Sequence, residues 1–247
     1  MSEQSIVQIE GLTKRYGRQV GLDALSLTVG RGEILALVGP NGAGKTTALK
    51  LMVGLLSPTS GHVRIGGFDV DRKPLEAKRL VSFVPDQPFL YESLTVAEFL
   101  GFIGSIYRLP AEALRQRAEE LSALFGMRDQ LGRRISELSY GTKSRLVLVA
   151  ALIREPRVLI MDEPFFGLDP QTLRLIKQLL RERAAQGMTV ILSTHQLAIV
   201  EDLAERIAIL AAGKLRALGR LRELSEQYGG RRLEELFFQL TSDDSGR

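Results

Sequence analysis

The element that most restricts what this chain can fold into is Gly39-Pro40-Asn41-Gly42-Ala43-Gly44-Lys45-Thr46-Thr47. It fits G-x-x-x-x-G-K-[ST]. It also lies between an apolar strand pattern, Glu33 to Val38, and a helical one that runs from Lys45 to about Val53 and stops at Gly54. Glycines let the backbone curl until successive N–H groups point inward, which makes a cradle for a triphosphate. The helix starting near Lys45 turns the positive end of its dipole toward the same place. Lys45 supplies charge to the β- and γ-phosphates, and the Thr46 hydroxyl can ligate Mg²⁺. By chance the fixed positions would match in roughly one chain in a hundred of this length. The strand–loop–helix context makes coincidence rarer still.

A second signal lies far downstream. Val158-Leu159-Ile160-Met161 is a continuous apolar run, as expected of a strand buried on both faces of a parallel sheet. It delivers Asp162 and Glu163 at its carboxyl end. Ligands of open α/β sheets collect beyond the carboxyl ends of strands, so the pair is expected beside the phosphate loop. Adjacent residues of an extended chain point in different directions and take different tasks. Asp162 is assigned to the Mg²⁺ shell, and Glu163 to orienting or deprotonating the attacking water. Alone, an Asp-Glu pair would more readily cap a helix or form a surface ion pair. The phosphate loop upstream tips the reading to function.

Between these motifs the pattern alternates. Ile6 to Glu10 and Leu25 to Val29 read as short strands, as do His62 to Ile65 and Val81 to Val84, the last two separated by a short basic stretch. From Thr95 to Arg154 there is no strand pattern. Leu114, Ala118, Leu121 and Phe125 recur at helical spacing, with Arg115, Arg117, Glu119 and Glu120 on the other side. Pro170 to Gln186 then reads as a helix ended by Gly187, Thr189 to Ser193 as a strand, and Ala198 to Glu205 as a helix. Arg206 to Ala211 is a strand with a turn at Gly213. The expected fold class is α/β: a core with helices on its faces, interrupted by an all-helical insertion at about 88–155. A single domain is expected over 1–213 and a helical tail over 214–247.

Composition removes other classes. Hydrophobic content of 45% and charged content of 25% over 247 residues are ordinary globular values, which excludes a disordered or collagen-like chain. There is no cysteine, hence no disulfide or thiolate metal site, which suits a reducing compartment. The net charge of +4 is mild and its basic residues are scattered, so no nucleic-acid partner is expected. Apolar runs such as Leu146 to Ile153 fall well short of the roughly 18–20 residues that span a bilayer. Met1-Ser2-Glu3-Gln4 lacks the basic and apolar regions of a signal peptide. A cytoplasmic chain is expected, held at a membrane only by a partner.

Leu138-Ser139-Tyr140-Gly141-Thr142, just before the apolar helical stretch from Lys143 to Arg154, resembles the LSGGQ signature of ABC ATPases. With the phosphate loop and the carboxylate strand in order, residues 6–213 are similar to the nucleotide-binding cassette of an ABC transporter. The resemblance implies a phosphate-loop core with a mostly parallel sheet, N-terminal antiparallel strands and a helical insertion. It implies ATP with Mg²⁺, held by Gly39, Pro40, Asn41, Gly42, Ala43, Gly44, Lys45, Thr46 and Thr47. Tyr16 matches the aromatic that stacks on adenine. Ser139 and Gly141 would close on ATP bound by a second ABC ATPase subunit, a copy or a paralogue. Gly167-Leu168-Asp169 resembles the D-loop that communicates between the two sites. His195, in Ser193-Thr194-His195, matches the switch histidine that contacts the γ-phosphate, which makes Lys45, Glu163 and His195 the expected catalytic set. Val84-Pro85-Asp86-Gln87 occupies the place of the Q-loop.

The chain departs from the family at two places. The family's glutamine follows the proline directly, which puts Asp86 in its position and Gln87 one later; both join Thr46 and Asp162 as candidate metal ligands. Tyr140 stands at the signature's usual first glycine and Thr142 at its terminal glutamine. A side chain at 140 would hinder the opposing nucleotide unless it points away. The stretch Leu233 to Thr241 is similar to the tails of bacterial ABC-2-type export ATPases. The resemblance thus implies an ATP hydrolase on the cytoplasmic face of the membrane, driving a separate integral membrane permease, with export favoured. Coupling is expected near Phe89, Leu90, Tyr91 and Leu94 to Phe102, apolar residues that burial in the protein's own core would explain equally well. One alternative keeps the fold as an ATP-dependent switch without turnover, against which intact Glu163 and His195 argue. Another is a soluble ABC-class ATPase acting on nucleic acid or ribosomes, against which the lack of a basic stripe argues.

Overall fold

In the computed structural model the structure describes residues 5–242. Two sheets carry the fold, and side-chain pattern sorts the strands between them. Strands β1 (Ser5–Tyr16), β2 (Gln19–Gly30), β4 (Ser60–Ile65) and β5 (Phe68–Asp69) form an antiparallel sheet in the order β2-β1-β4-β5. Strands β3 (Ile34–Val38), β6 (Val81–Val84), β7 (Val158–Asp162), β8 (Thr189–Ser193), β9 (Arg206–Ala211) and β10 (Lys214–Gly219) form the second, ordered β10-β9-β3-β8-β7-β6. It is parallel from β9 to β6, and β10 is antiparallel to β9. Every residue of β3, β7 and β8 is buried, which is why these strands read as unbroken apolar runs.

The second sheet separates two cores, and successive residues of one strand serve both. Leu35 and Leu37 of β3, with Val158 and Ile160 of β7, pack toward the antiparallel sheet and helix α1 (Lys45–Met52). Ile34, Ala36, Val38, Leu159 and Met161 face the other way. There they meet α5 (Tyr140–Leu152), α6 (Pro170–Ala185) and α7 (Leu197–Leu203). Between β6 and β7 the chain runs through α3 (Val96–Ile106), α4 (Ala111–Leu124) and then α5, the segment read as all-helical. Helix starts have local causes. Thr95 and Glu98 form a reciprocal capping box at α3, and the two hydrogen bonds from Thr95 hold the Glu98 carboxyl below its ordinary value. At α6, Asp169 caps the Thr172 N–H and Pro170 takes the first turn.

The structure corrects five elements. The first two strands extend well beyond the short apolar stretches, because alternation continues through polar residues and irregular register. The basic stretch before β6 contains helix α2 (Pro74–Leu80), which buries only Ala77 and so leaves no periodic stripe to read. α7 stops at Leu203, and the Glu205 N–H instead bonds the Ile34 carbonyl. The expected helical tail from 214 begins as a strand, β10, joined to β9 through Ala212 and Gly213, both at positive φ. That is the turn geometry hairpins favour, but Ala-Gly hides what Asn-Gly would announce. Helical chain resumes only with α8 (Leu221–Gln227) and α9 (Leu233–Ser242), whose Leu233 and Leu236 are buried.

Candidate active site

The sheet order places β8 between β3 and β7, so the loop after β3 and the carboxylates after β7 open on one side of the fold. The loop's shape depends on two glycines. Gly44 has φ +101, and a β-carbon there would lie 2.6 Å from the Gly21 carbonyl oxygen. At Gly39 it would lie 2.4 Å from that of Leu210. Lys45 is buried, and its Nζ donates to the Gly39 carbonyl at 2.6 Å and the Pro40 carbonyl at 3.2 Å. Burial pulls the ammonium below its ordinary value, while Glu163 and Asp162 draw it back up.

Tyr16, Asn41, Gly42, Ala43, Gly44, Lys45, Thr46, Thr47, Asp86, Asp162 and Glu163 line one open cleft of about 540 Å³. Gly39 and Pro40 stand behind it as acceptors for Lys45. Gln87 is not on the wall, so of the two candidates at the Q-loop position Asp86 faces the cleft. The Tyr16 ring, about half exposed, lies over Gly21, where a β-carbon would come within 2.7 Å of it. Gln19, Val20 and Gly21 also line the cleft, and sequence reasoning missed them. Their signal was the hairpin turn after Tyr16, which folds β2 back beside it.

Asp162 and Glu163 diverge as their adjacency requires. Asp162 is buried, its Oδ1 accepts from Ser193 Oγ, and its Oδ2 is buried with no hydrogen-bond partner among the described residues. A buried, unpartnered carboxylate oxygen on a residue that lines the same cleft as Thr46 suits a hard divalent cation. Among the described residues no group of three or more acidic, histidine or cysteine side chains could hold a metal. A cation here would therefore draw its remaining ligands from phosphate and water, as Mg²⁺ does. Glu163 sits at φ +48, uncommon for a residue with a β-carbon. Its N–H bonds the Ser193 carbonyl at 3.1 Å and Ser193 Oγ at 3.2 Å. Its Oε2 lies 3.0 Å from His195 Nδ1. Ser193 thus holds both acidic residues, a role that its place before His195 did not disclose.

The signature residues lie outside this cleft. Ser139 caps α5 by accepting from the Thr142 N–H at 3.2 Å, and it borders a separate hollow of about 300 Å³ with Arg133 and Arg145. A β-carbon on Gly141 would sit 3.5 Å from the Gly167 carbonyl oxygen. Asp169 caps α6, and its hydrogen bonds from Thr172 hold its carboxyl below the ordinary value. The apolar residues beyond Asp86 divide. Phe99 and Leu100 belong to the chain's own core, whereas Phe89 is 94% exposed and Tyr91 and Phe102 stay exposed. Phe89, Leu90, Ile103, Tyr107 and Val147 border a groove of about 350 Å³. No helix among the described residues is long and apolar enough to cross a membrane.

A family model described as "ABC transporter" matches residues 22–166. The chain is 34% identical to the ABC-type transporter ATP-binding protein EcsA of Bacillus subtilis, over 98% of this chain and 99% of that protein. It is 37% identical to the Nod factor export ATP-binding protein I of Ralstonia nicotianae, over 89% of this chain and 68% of that one. A solved structure described as the ATP-binding subunit of an ABC transporter superposes with a TM-score of 0.92 at 34% identity, covering 96% of this chain and 99% of its own.

Proposed function

The chain belongs to the ATP-binding subunits of ABC transporters, and from that premise we propose that it hydrolyses Mg-ATP to drive a separate membrane permease, in the direction of export. Subunits of this family bind ATP and work with permease components. The observation that carries the hydrolytic reading is the contact of Glu163 with His195 at 3.0 Å, beside the buried Lys45 and Asp162. Lys45, held at the loop's own carbonyls, offers its ammonium to the β- and γ-phosphates. Asp162 Oδ2 and Thr46 Oγ1 would hold the cation, which when bound would neutralise charge on the phosphate oxygens. Glu163 orients the attacking water and accepts its proton, and His195 steadies the Glu163 carboxylate and reaches toward the γ-phosphate. Tyr16 stacks on the base.

Ser139 and Gly141 sit away from the cleft of their own chain, so they would serve a second subunit's nucleotide. The proposed working unit is therefore a dimer, of two copies or with a paralogue, and Asp169 stands in the loop between the paired sites. The groove at Phe89 is the proposed seat for a short permease helix, since an almost fully exposed Phe beside a concave apolar surface is costly to leave in water. Export is favoured by the relative whose description names Nod factor export, and by the tail. This position would put the chain on the cytoplasmic face of the membrane.

Mg-dependent ATP turnover by the purified chain, beside Glu163→Gln with light scattering, tests this reading. The parent is expected to turn over, and the variant to bind ATP, lose turnover and collect as a dimer. A parent that binds ATP and dimerises without hydrolysis, alone or with membranes, sinks the motor reading and leaves an ATP-dependent switch.

A further inference from the structure

Tyr140 stands where the resembled signature has a glycine, and its ring turns back onto its own chain. Its Oη donates to the Asp86 carbonyl at a long 3.4 Å. Its ring and that of Phe166 stand nearly perpendicular, centroids 6.5 Å apart and planes at 85°, within the range of attractive edge-to-face pairs. The ring also covers Gly167: a β-carbon there would come within 3.2 Å of it, and φ is +72. One side chain thus touches both segments that bear the cleft's carboxylates. The first carries Asp86; the second leaves Glu163 through Pro164 to Gly167. Lys143, three residues further along α5, pairs with Glu92 at 2.5 Å. The head of α5 therefore holds residues 86–92 at both ends, with the exposed Phe89 between.

From these contacts we infer that Tyr140 is a positioning residue, a brace within one chain that sets the separation of Asp86 and Glu163 across the cleft. Its bearing on turnover rests on the ATPase reading above; the brace itself does not. A ring that only obstructs the opposing nucleotide and a ring that positions predict opposite results when it is removed. Tyr140 is about half exposed, so its truncation leaves the fold intact.

The chain has no cysteine, so spin labels at Gln87→Cys in the first segment and at Gln171→Cys, in the first turn of α6 into which the second segment leads, report their separation without background. In the full chain without nucleotide, a narrow distance distribution is expected. Tyr140→Ala should lose that narrow peak, and Tyr140→Phe, which keeps the ring, should retain it. In unlabelled protein Tyr140→Ala and Tyr140→Gly should lower kcat by roughly two- to ten-fold, the factor an aromatic pair of this kind is worth. KM for ATP should stay close to the parent's, and Tyr140→Phe should recover most of the loss. A distribution already broad in the parent, or unchanged by Tyr140→Ala, overturns the brace, as does a kcat at or above the parent's in either truncation. A parent that binds no ATP overturns the ATPase reading instead, and the spin-label distances then decide the brace alone.

Discussion

Glu163 Oε2 and His195 Nδ1 lie 3.0 Å apart, although one follows β7 and the other follows β8. Parallel pairing of Asp162 with Ser193 aligns the ends of those strands and brings the two side chains together. If His195 steadies the carboxylate, His195→Ala should lower kcat by about 10²-fold or more while ATP affinity stays near that of the parent. Equilibrium binding of a fluorescent ATP analogue beside steady-state turnover separates the two quantities. Equal losses in both would assign His195 to binding rather than to the reaction.

The unpartnered Oδ2 of Asp162 gives a second expectation, readable without turnover. At a ligand concentration about a hundred times Kd, binding stabilises a folded chain by about 2.7 kcal/mol. For a chain of this size that raises Tm by roughly 5–10 °C. Mg-ATP should do this for the parent, and EDTA should remove most of the gain. Asp162→Asn should show less than half of the shift with Mg²⁺ and the same small shift as the parent without it. An undiminished Mg²⁺ response in the variant would remove Asp162 from the metal site.

Two glycines of the phosphate loop differ in a way that mutagenesis can read. Gly44 combines φ +101 with a backbone carbonyl 2.6 Å from any added β-carbon, whereas Gly42 has φ +79 and open space. Gly44→Ala should lower Tm by roughly 3–10 °C, the effect of about 1–3 kcal/mol of strain and clash. It should also abolish ATP binding. Gly42→Ala should lower Tm less, because only the backbone angle is penalised. The reverse ranking in thermal melts would contradict this geometry.

Asp202 ties α7 to α6 by accepting from both Lys177 and Arg181. Lys177 foremost, then Arg181, holds its carboxyl below the ordinary 3.8. The folded chain thus gives up this proton more readily than the unfolded one. The contribution to stability is complete above 3.8 and disappears as pH falls through the lower folded value. Asp202→Asn should therefore be slightly less stable than the parent in urea at pH 7, with the two curves converging as pH drops below 3.8. A gap that persists in acid would trace the loss to something other than charge.

What the sequence determined by itself was local. Residues 39–47 carry their conformation in glycines and their chemistry in Lys45 and Thr46, so the phosphate cradle needed no distant partner to be read. Thr189–Ser193 and Arg206–Ala211 fall on the bounds of β8 and β9 because apolar runs closed by turn residues mark buried strands. Weak or absent local signals hid the rest: α2 buries one side chain, and the β9–β10 turn uses Ala-Gly.

Tertiary structure alone decided which distant residues meet. The order β9-β3-β8-β7 gathers Lys45, Asp162 and Glu163 at one cleft, sets His195 against Glu163, and makes Ser193 the shared partner of both acidic residues. It also decided that Asp86 rather than Gln87 faces that cleft, and that Tyr140 turns toward Asp86 and Phe166. Propensity and periodicity act over a few residues, whereas the direction of a side chain between two loops is settled by sheet register and by packing against chain remote in sequence.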